Sequence, residues 1–189
     1  TLINPSSGNV YHYQDYFGFG VDITDTHAIV GAYGEDNPDA MSGIAYIYNV
    51  SNGALQYTLA DPNYTGTPAY DNFGRSVGIS TSYAIVGAYG ENNGSGAAYT
   101  YNLSNILINP NAVGTTSNDN FGERVGITDA YSVVAAPSEE STNPNGVQYP
   151  PSNVGLIYVF NNSNGSLRYT IISPYDVGNK YFGQTLSVS

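Results

Sequence analysis

The chain has 189 residues, 41% of them hydrophobic, which is enough for one sizeable core. Fifteen acids against four bases give a net charge of −11. This makes nucleic acid and anionic membrane surfaces poor partners, because both select patches of Lys and Arg. With no cysteine, disulfides, thiolate metal sites and a cysteine nucleophile are excluded, and no apolar run approaches the ~20 residues of a membrane-spanning helix.

Nineteen Tyr and 22 Gly with 10% charged residues describe an all-β, turn-rich protein, and no helix is predicted. The chain also repeats itself. Residues 16–34 read YFGFGVDITDTHAIVGAYG, residues 71–90 read DNFGRSVGISTSYAIVGAYG, and residues 120–137 read NFGERVGITDAYSVVAAP. A fourth start, YFGQTLSVS, occupies 181–189. The Phe-Gly pairs at 17/18, 73/74, 121/122 and 182/183 recur at intervals of 56, 48 and 61 residues, a length that suits one four-stranded sheet per repeat.

Residues 1–15 read as the end of a repeat, since TLINP matches the tails of LQYTLADP (55–62), NILINP (105–110) and LRYTIISP (167–174). Each of these is an alternating strand closed by Pro. Full repeats are expected at 16–70, 71–118 and 119–179, with a further start at 180–189, all within one domain, 1–189. In each, FGxxVxI forms a first strand and AIVGAY, or its weaker copy at 133–136, a second, joined by a hairpin link such as 24–27. The third strand carries aromatics at period two: Tyr46 and Tyr48, Tyr99 and Tyr101, Tyr158 and Phe160. Asn-Gly at 52–53 and 164–165 predicts type I′ turns into the fourth strand. The loops at 34–43, 90–96 and 138–155 vary in length, and variable loops on a constant scaffold are where binding function concentrates.

FG followed about 13 residues later by GAY, GAY and AAP resembles the FG-GAP repeats of β-propellers such as the integrin α-chain head. The resemblance implies a propeller-type array of four-stranded antiparallel blades: three full blades plus a strand at each end, with Phe plugging the space between sheets. It makes Phe17, Gly18, Gly31, Phe73, Gly74, Gly87, Phe121, Gly122, Phe182 and Gly183 the structural motif residues. The family's calcium loop of the Asp-x-Asp-x-Asp-Gly type is missing from the links at 22–28, 78–84 and 126–132, where Asp25 and Asp129 stand as isolated acids, so no metal or other cofactor is carried over.

No catalytic motif is present, so the chain is expected not to be an enzyme. His12 and His27 are assigned structural or solvent-facing roles. The acids Glu35, Asp36, Asp39, Glu139 and Glu140 are placed in solvated loops, and Arg75 and Arg124 on the surface or in ion pairs. Six sequons, at Asn49, Asn63, Asn93, Asn102, Asn161 and Asn164, are candidate glycosylation sites, three of them recurring just after the third strand. Three blades are too few to close a propeller of roughly 4–8. The expected partner is therefore a further copy of the chain, engaged through assembly strands at Thr1, Leu2, Ile3 and at Phe182, Leu186, Val188. Thr1 as first residue suggests a mature, processed or partly resolved chain. The functional expectation is an extracellular or cell-surface structural and adhesive module forming a fibre or appendage. The alternative is a recognition propeller, part of a larger chain, binding protein or glycan through its loops.

Overall fold

The computed structural model describes residues 1–6, 14–36, 41–62, 70–102, 105–107, 119–142, 148–153, 155–173 and 181–188. Strands β1 (Val21–Ile23), β2 (His27–Ala32), β3 (Ile44–Asn49) and β4 (Leu55–Ala60) form the first sheet, in sequence order and antiparallel. The second repeats it with β5 (Ser76–Ile79), β6 (Tyr83–Ala88), β7 (Ala97–Asn102) and a short β8 (Asn105–Leu107); a single turn, α1 (Glu91–Gly94), lies between β6 and β7. The third sheet begins with β9 (Arg124–Ile127) and β10 (Tyr131–Ala136). A two-stranded ribbon, β11 (Glu140–Thr142) and β12 (Gln148–Asn153), then precedes β13 (Leu156–Asn161) and β14 (Leu167–Ile172), which complete it. The result is three blades of four strands each.

The second strand of each blade, rich in β-branched and small residues, is flanked by strands on both edges, and in the middle blade by a neighbouring sheet on each face as well. Outer strands β4 and β14 are exposed almost throughout. Between the first two blades, Ile29, Ala45 and Ile47 meet Phe73, Val77, Ile79 and Tyr99 in one apolar cluster. Between the second and third, Ile85 and Ala98 meet Phe121, Val125, Ile127 and Tyr158. The period-two reading of the third strands holds, because each aromatic pair lies on the face its Phe covers.

Two local expectations are corrected. The Asn-Gly turns are not type I′, which needs positive φ at both residues; only Gly53 (φ 72°) and Gly165 (φ 68°) are left-handed, and the loops close by Gly53 N–H to Asn49 O and Gly165 N–H to Asn161 O. The Asn49 side chain takes the N–H of Ser51, which favours this wider loop over a two-residue one. Helix α1 is a helical turn in name only, since Asn92 and Asn93 inside it have φ of 53° and 60°. Residues 1–5 and 181–188 run along the first and third blades without belonging to a sheet.

Candidate functional site

The recurring structure is the seam between blades, and it is built on the Phe-Gly pair. At 16–19, 72–75, 120–123 and 181–184 the fourth residue donates its N–H to the carbonyl of the first, at 3.0–3.2 Å. The third residue, Gly18, Gly74, Gly122 or Gly183, has φ between 89° and 94°, which is the glycine position of a type II turn. The turn's first residue is also left-handed each time: Tyr16, Asn72, Asn120 and Tyr181. Phe73 and Phe121 are thereby driven into the seam, 0% and 2% exposed.

The turns at 72–75 and 120–123 also dock onto the preceding blade. Phe73 N–H bonds Ser42 O and Phe121 N–H bonds Ser95 O, at 3.0 and 3.2 Å. A Cβ on Gly31 would lie 1.8 Å from Gly74 O, and one on Gly87 1.9 Å from Gly122 O. Backbones this close leave no room for a side chain, so both positions must be glycine. At the third blade Ala135 stands at the matching place, and Gly183 lies against its methyl group. Two carboxylates add polar links, Asp22 taking the N–H of Ile79 at 2.8 Å and Asp129 that of Ser82 at 3.2 Å.

The loops between second and third strands start from a second constant feature. Glu35 and Glu139, expected in solvated loops, are buried, as is Glu91. The carbonyl of each accepts the N–H closing its loop, from Gly43, Gly96 and Gly155 respectively. The side chain of each accepts the hydroxyl of the third-strand tyrosine: Tyr46 to Glu35 at 2.8 Å, Tyr99 to Glu91, and Tyr158 to Glu139. A buried carboxylate needs such a donor, and the aromatic face supplies it. Asp15, Asp71 and Asp119 lie buried one residue before the turn, and their carbonyls take the N–H groups of Gly34, Gly90 and Ser138. Burial, reinforced by Asp61 and Glu91, pushes the Asp71 carboxyl up to about 7. Burial likewise pushes Glu139 up to about 7; the Tyr158 hydrogen bond lowers it and Asp119 raises it further. The signal was legible: GAYGE occurs twice and AAPSE once, with the Glu in register.

Arg75, read as a surface or ion-pair residue, instead sits in an aromatic collar. Its guanidinium lies 5.2, 5.4 and 4.9 Å from the rings of Phe19, Tyr33 and Tyr89. Arg124 is paired with Glu123 at 3.6 Å. His27 bonds Gln56 and Thr26, each at 2.9 Å, while His12 and Asp39 lie outside the described residues. Of the sequons, Asn49, Asn102 and Asn161 are the last residues of β3, β7 and β13, Asn93 and Asn164 are exposed, and Asn63 is outside the described residues. Leu2 packs against the cluster of Val30, Ala32, Ile44, Tyr46 and Tyr48, and the Tyr48 hydroxyl donates to Ile3 O at 2.9 Å; Thr1 is exposed. Among the described residues no group of three or more His, Asp or Glu is placed to hold a metal ion. A cleft of about 20 Å³ beside Ile85, Phe121 and Phe160 has room for water alone.

Three stacked four-stranded sheets joined by such turns define a β-propeller-like module. The family model of the FG-GAP repeat matches residues 5–48 and 66–101, so these stretches are similar to FG-GAP repeats, and the turn at 120–123 and its seam reproduce the same geometry in the third blade. No curated protein matches the chain. FG-GAP repeats typically occur in extracellular or surface proteins, and no helix among the described residues is long and apolar enough to cross a membrane.

Proposed function

We propose that the protein is a non-catalytic, extracellular structural and adhesive module that assembles head to tail with copies of itself into a fibre or surface appendage. One observation carries this reading. Val21 and Ile23 of β1 are each 64% exposed, whereas their counterparts Val77 and Ile79, and Val125 and Ile127, are 4–9% exposed beneath a preceding blade. A first blade so equipped matches the seam rule, and among the described residues no blade covers it. In each sheet the first and fourth strands are separated by the middle two. Pairing 181–188 of one copy with 1–5 of another would therefore leave a blade without its centre, and whole-blade docking replaces the terminal-strand pairing expected from sequence. Sequon-borne glycans at the outer hairpins suit an extracellular surface.

Sedimentation velocity and negative-stain electron microscopy of the 189-residue chain test the proposal. Concentration-dependent rods or rings that Val21→Asp/Ile23→Asp abolishes are expected. A monodisperse monomer at high concentration defeats it. The second reading, recognition through the loops 34–43, 90–96 and 138–155, is favoured by their closing on one Glu–Gly bond whatever their length. Loop exchange that removed ligand binding and left assembly intact would establish it.

A further inference from the structure

Resting on that head-to-tail reading, we infer that the acceptor for a second copy is the outward face of the third blade, and that residues 181–188 occupy it in cis as an exchangeable plug. The internal seams define what an acceptor is. The last apolar residue of a first strand lies over the strand-centre residue of the preceding blade: Ile127 Cγ2 would be 3.4 Å from a Cβ on Gly78. On the third blade that place is Gly126, where a Cβ would run into the Val188 side chain, whose Cγ2 lies nearer than Ile127 Cγ2 does at Gly78, and would meet Leu186 at 3.6 Å. Val188 therefore stands where Ile127 stands one seam earlier. Residue by residue, 181–188 (YFGQTLSV) aligns with 16–23 (YFGFGVDI), and both begin with the same left-handed Tyr and Gly, φ 46° and 94° against 51° and 90°. The plug and the exposed first strand of another copy are two ligands for one face.

Apart from the Val188 contact, the plug is held less closely than a true blade. Among the described residues it pairs with no strand, Leu186 and Val188 are only half-buried, and Ala135 replaces the glycine that lets Gly74 and Gly122 settle backbone to backbone. Around it Val133, Ile157 and Val159 are half-buried, whereas Ile29 and Ile85 at the internal seams are 0% exposed. The other side of the seam is filled in the same manner. Tyr48 donates to Ile3 O as Tyr101 donates to Ala60 O, so residues 1–5 (TLINP) lie on the first blade as 58–62 (TLADP) lie on the second. The matching segment of the third blade, 170–174 (TIISP), presents exposed Ile171 and Ile172. Both halves of the intermolecular seam thus have a cis occupant of the same sequence type, and assembly is strand-segment exchange.

Because the chain has no cysteine, engineered cysteines report on this without background. Chains carrying Ile23→Cys are mixed with chains carrying Gly126→Cys under mild oxidation, and disulfide-linked heterodimer is followed by non-reducing electrophoresis with light scattering on the same samples. Val188 Cβ stands 3.2 Å from a Cβ on Gly126, a few tenths of an ångström inside the roughly 3.5–4.5 Å that a disulfide needs, so a small outward shift brings the pair into range. Heterodimer is expected, and because a side chain at Gly126 itself crowds Val188, the exchange is timed by light scattering on chains that keep Gly126, where Leu186→Asp/Val188→Asp should speed assembly about tenfold, as when the competent fraction rises from about a tenth to nearly all. Equal rates with and without the plug substitutions overturn the exchange. Scattering that shows assembly without heterodimer overturns this acceptor face and leaves the head-to-tail reading standing. Absence of both assembly and heterodimer overturns that reading itself. Gly78→Cys/Ile127→Cys within one chain must form an internal disulfide, which verifies that the folded seam has the stated spacing.

Discussion

Gly31 and Gly74 belong to different blades, and a Cβ on the first would lie 1.8 Å from the carbonyl oxygen of the second. The contact is backbone on backbone, so no rotamer change relieves it. Gly31→Ala is expected to cost about 3 kcal/mol or more, and Gly87→Ala the same, because whole strands must shift. Ala135→Gly, where the fold already accepts a methyl group, should change stability by less than about 1 kcal/mol. Urea midpoints for the three variants check the contrast. Equal effects at all three positions would mean that the seam does not depend on close glycine approach.

How much of this was legible follows from which residues act locally. The Phe-Gly turns, second strands and aromatic third strands follow from period and composition, because each is fixed by its own few residues. The docking of Gly74 on Gly31 involves positions far apart in the chain, and only the repetition of the motif hinted at it. Glu35 and Glu139 were misplaced because a carboxylate in a Gly- and Asn-rich loop reads as solvated. What buries them is the hydroxyl of Tyr46 or Tyr158 arriving from a strand beyond the loop. Arg75 was misread for a related reason: Tyr33 and Phe19 of its collar come from the preceding blade.

Tyr99 and Tyr101 stand on the same face of β7 but serve different acceptors, and their phenylalanine variants should separate. Tyr99→Phe strips a buried carboxylate, Glu91, of its hydroxyl donor, and a loss of roughly 2–3 kcal/mol is expected. Tyr101→Phe removes a 3.3 Å bond to Ala60 O at an exposed outer strand, and the third blade already carries Phe160 at this place. Its cost should stay within about 1 kcal/mol. Thermal melts of both variants at one pH decide, and an equal loss would refute the assignment of Glu91 as the loop's buried anchor.

The raised carboxyls set a pH dependence opposite to ordinary acid denaturation. Asp71 moves from 3.8, and Glu139 from 4.5, to about 7 in the fold, so the native state holds protons that the unfolded chain releases. Their stabilising contribution is fully present below about pH 4 and is lost as pH rises through 7. Allowing for screening by water, each group accounts for roughly 1–2 kcal/mol, or a melting temperature about 3–6 °C lower at pH 8 than at pH 4.5. Asp71→Asn should flatten its share of the slope. A melting temperature that rises steadily from pH 4.5 to 8 would refute the assignment.

The sequons differ in how the fold holds their amides, which predicts where glycan will be found. Asn49 Oδ1 accepts both the N–H and the hydroxyl of Ser51, at 2.9 and 2.6 Å, and Asn164 Oδ1 accepts both from Ser166, at 3.0 and 2.8 Å. In each, the sequon hydroxyl is bound to the asparagine itself in a local turn at an outer hairpin, with the oxygen end of the amide engaged. At Asn161 the amide nitrogen donates to Ser166 Oγ at 2.9 Å and the oxygen meets Arg168 at 3.5 Å, so both ends are tied across the hairpin. Secretion from a glycosylating eukaryotic host, followed by peptide mass mapping, should find glycan at Asn49 and Asn164 and little at Asn161. Ser51→Ala should abolish occupancy at Asn49 alone. Full occupancy at Asn161 with none at Asn49 would mean that modification precedes these hairpins and ignores their geometry.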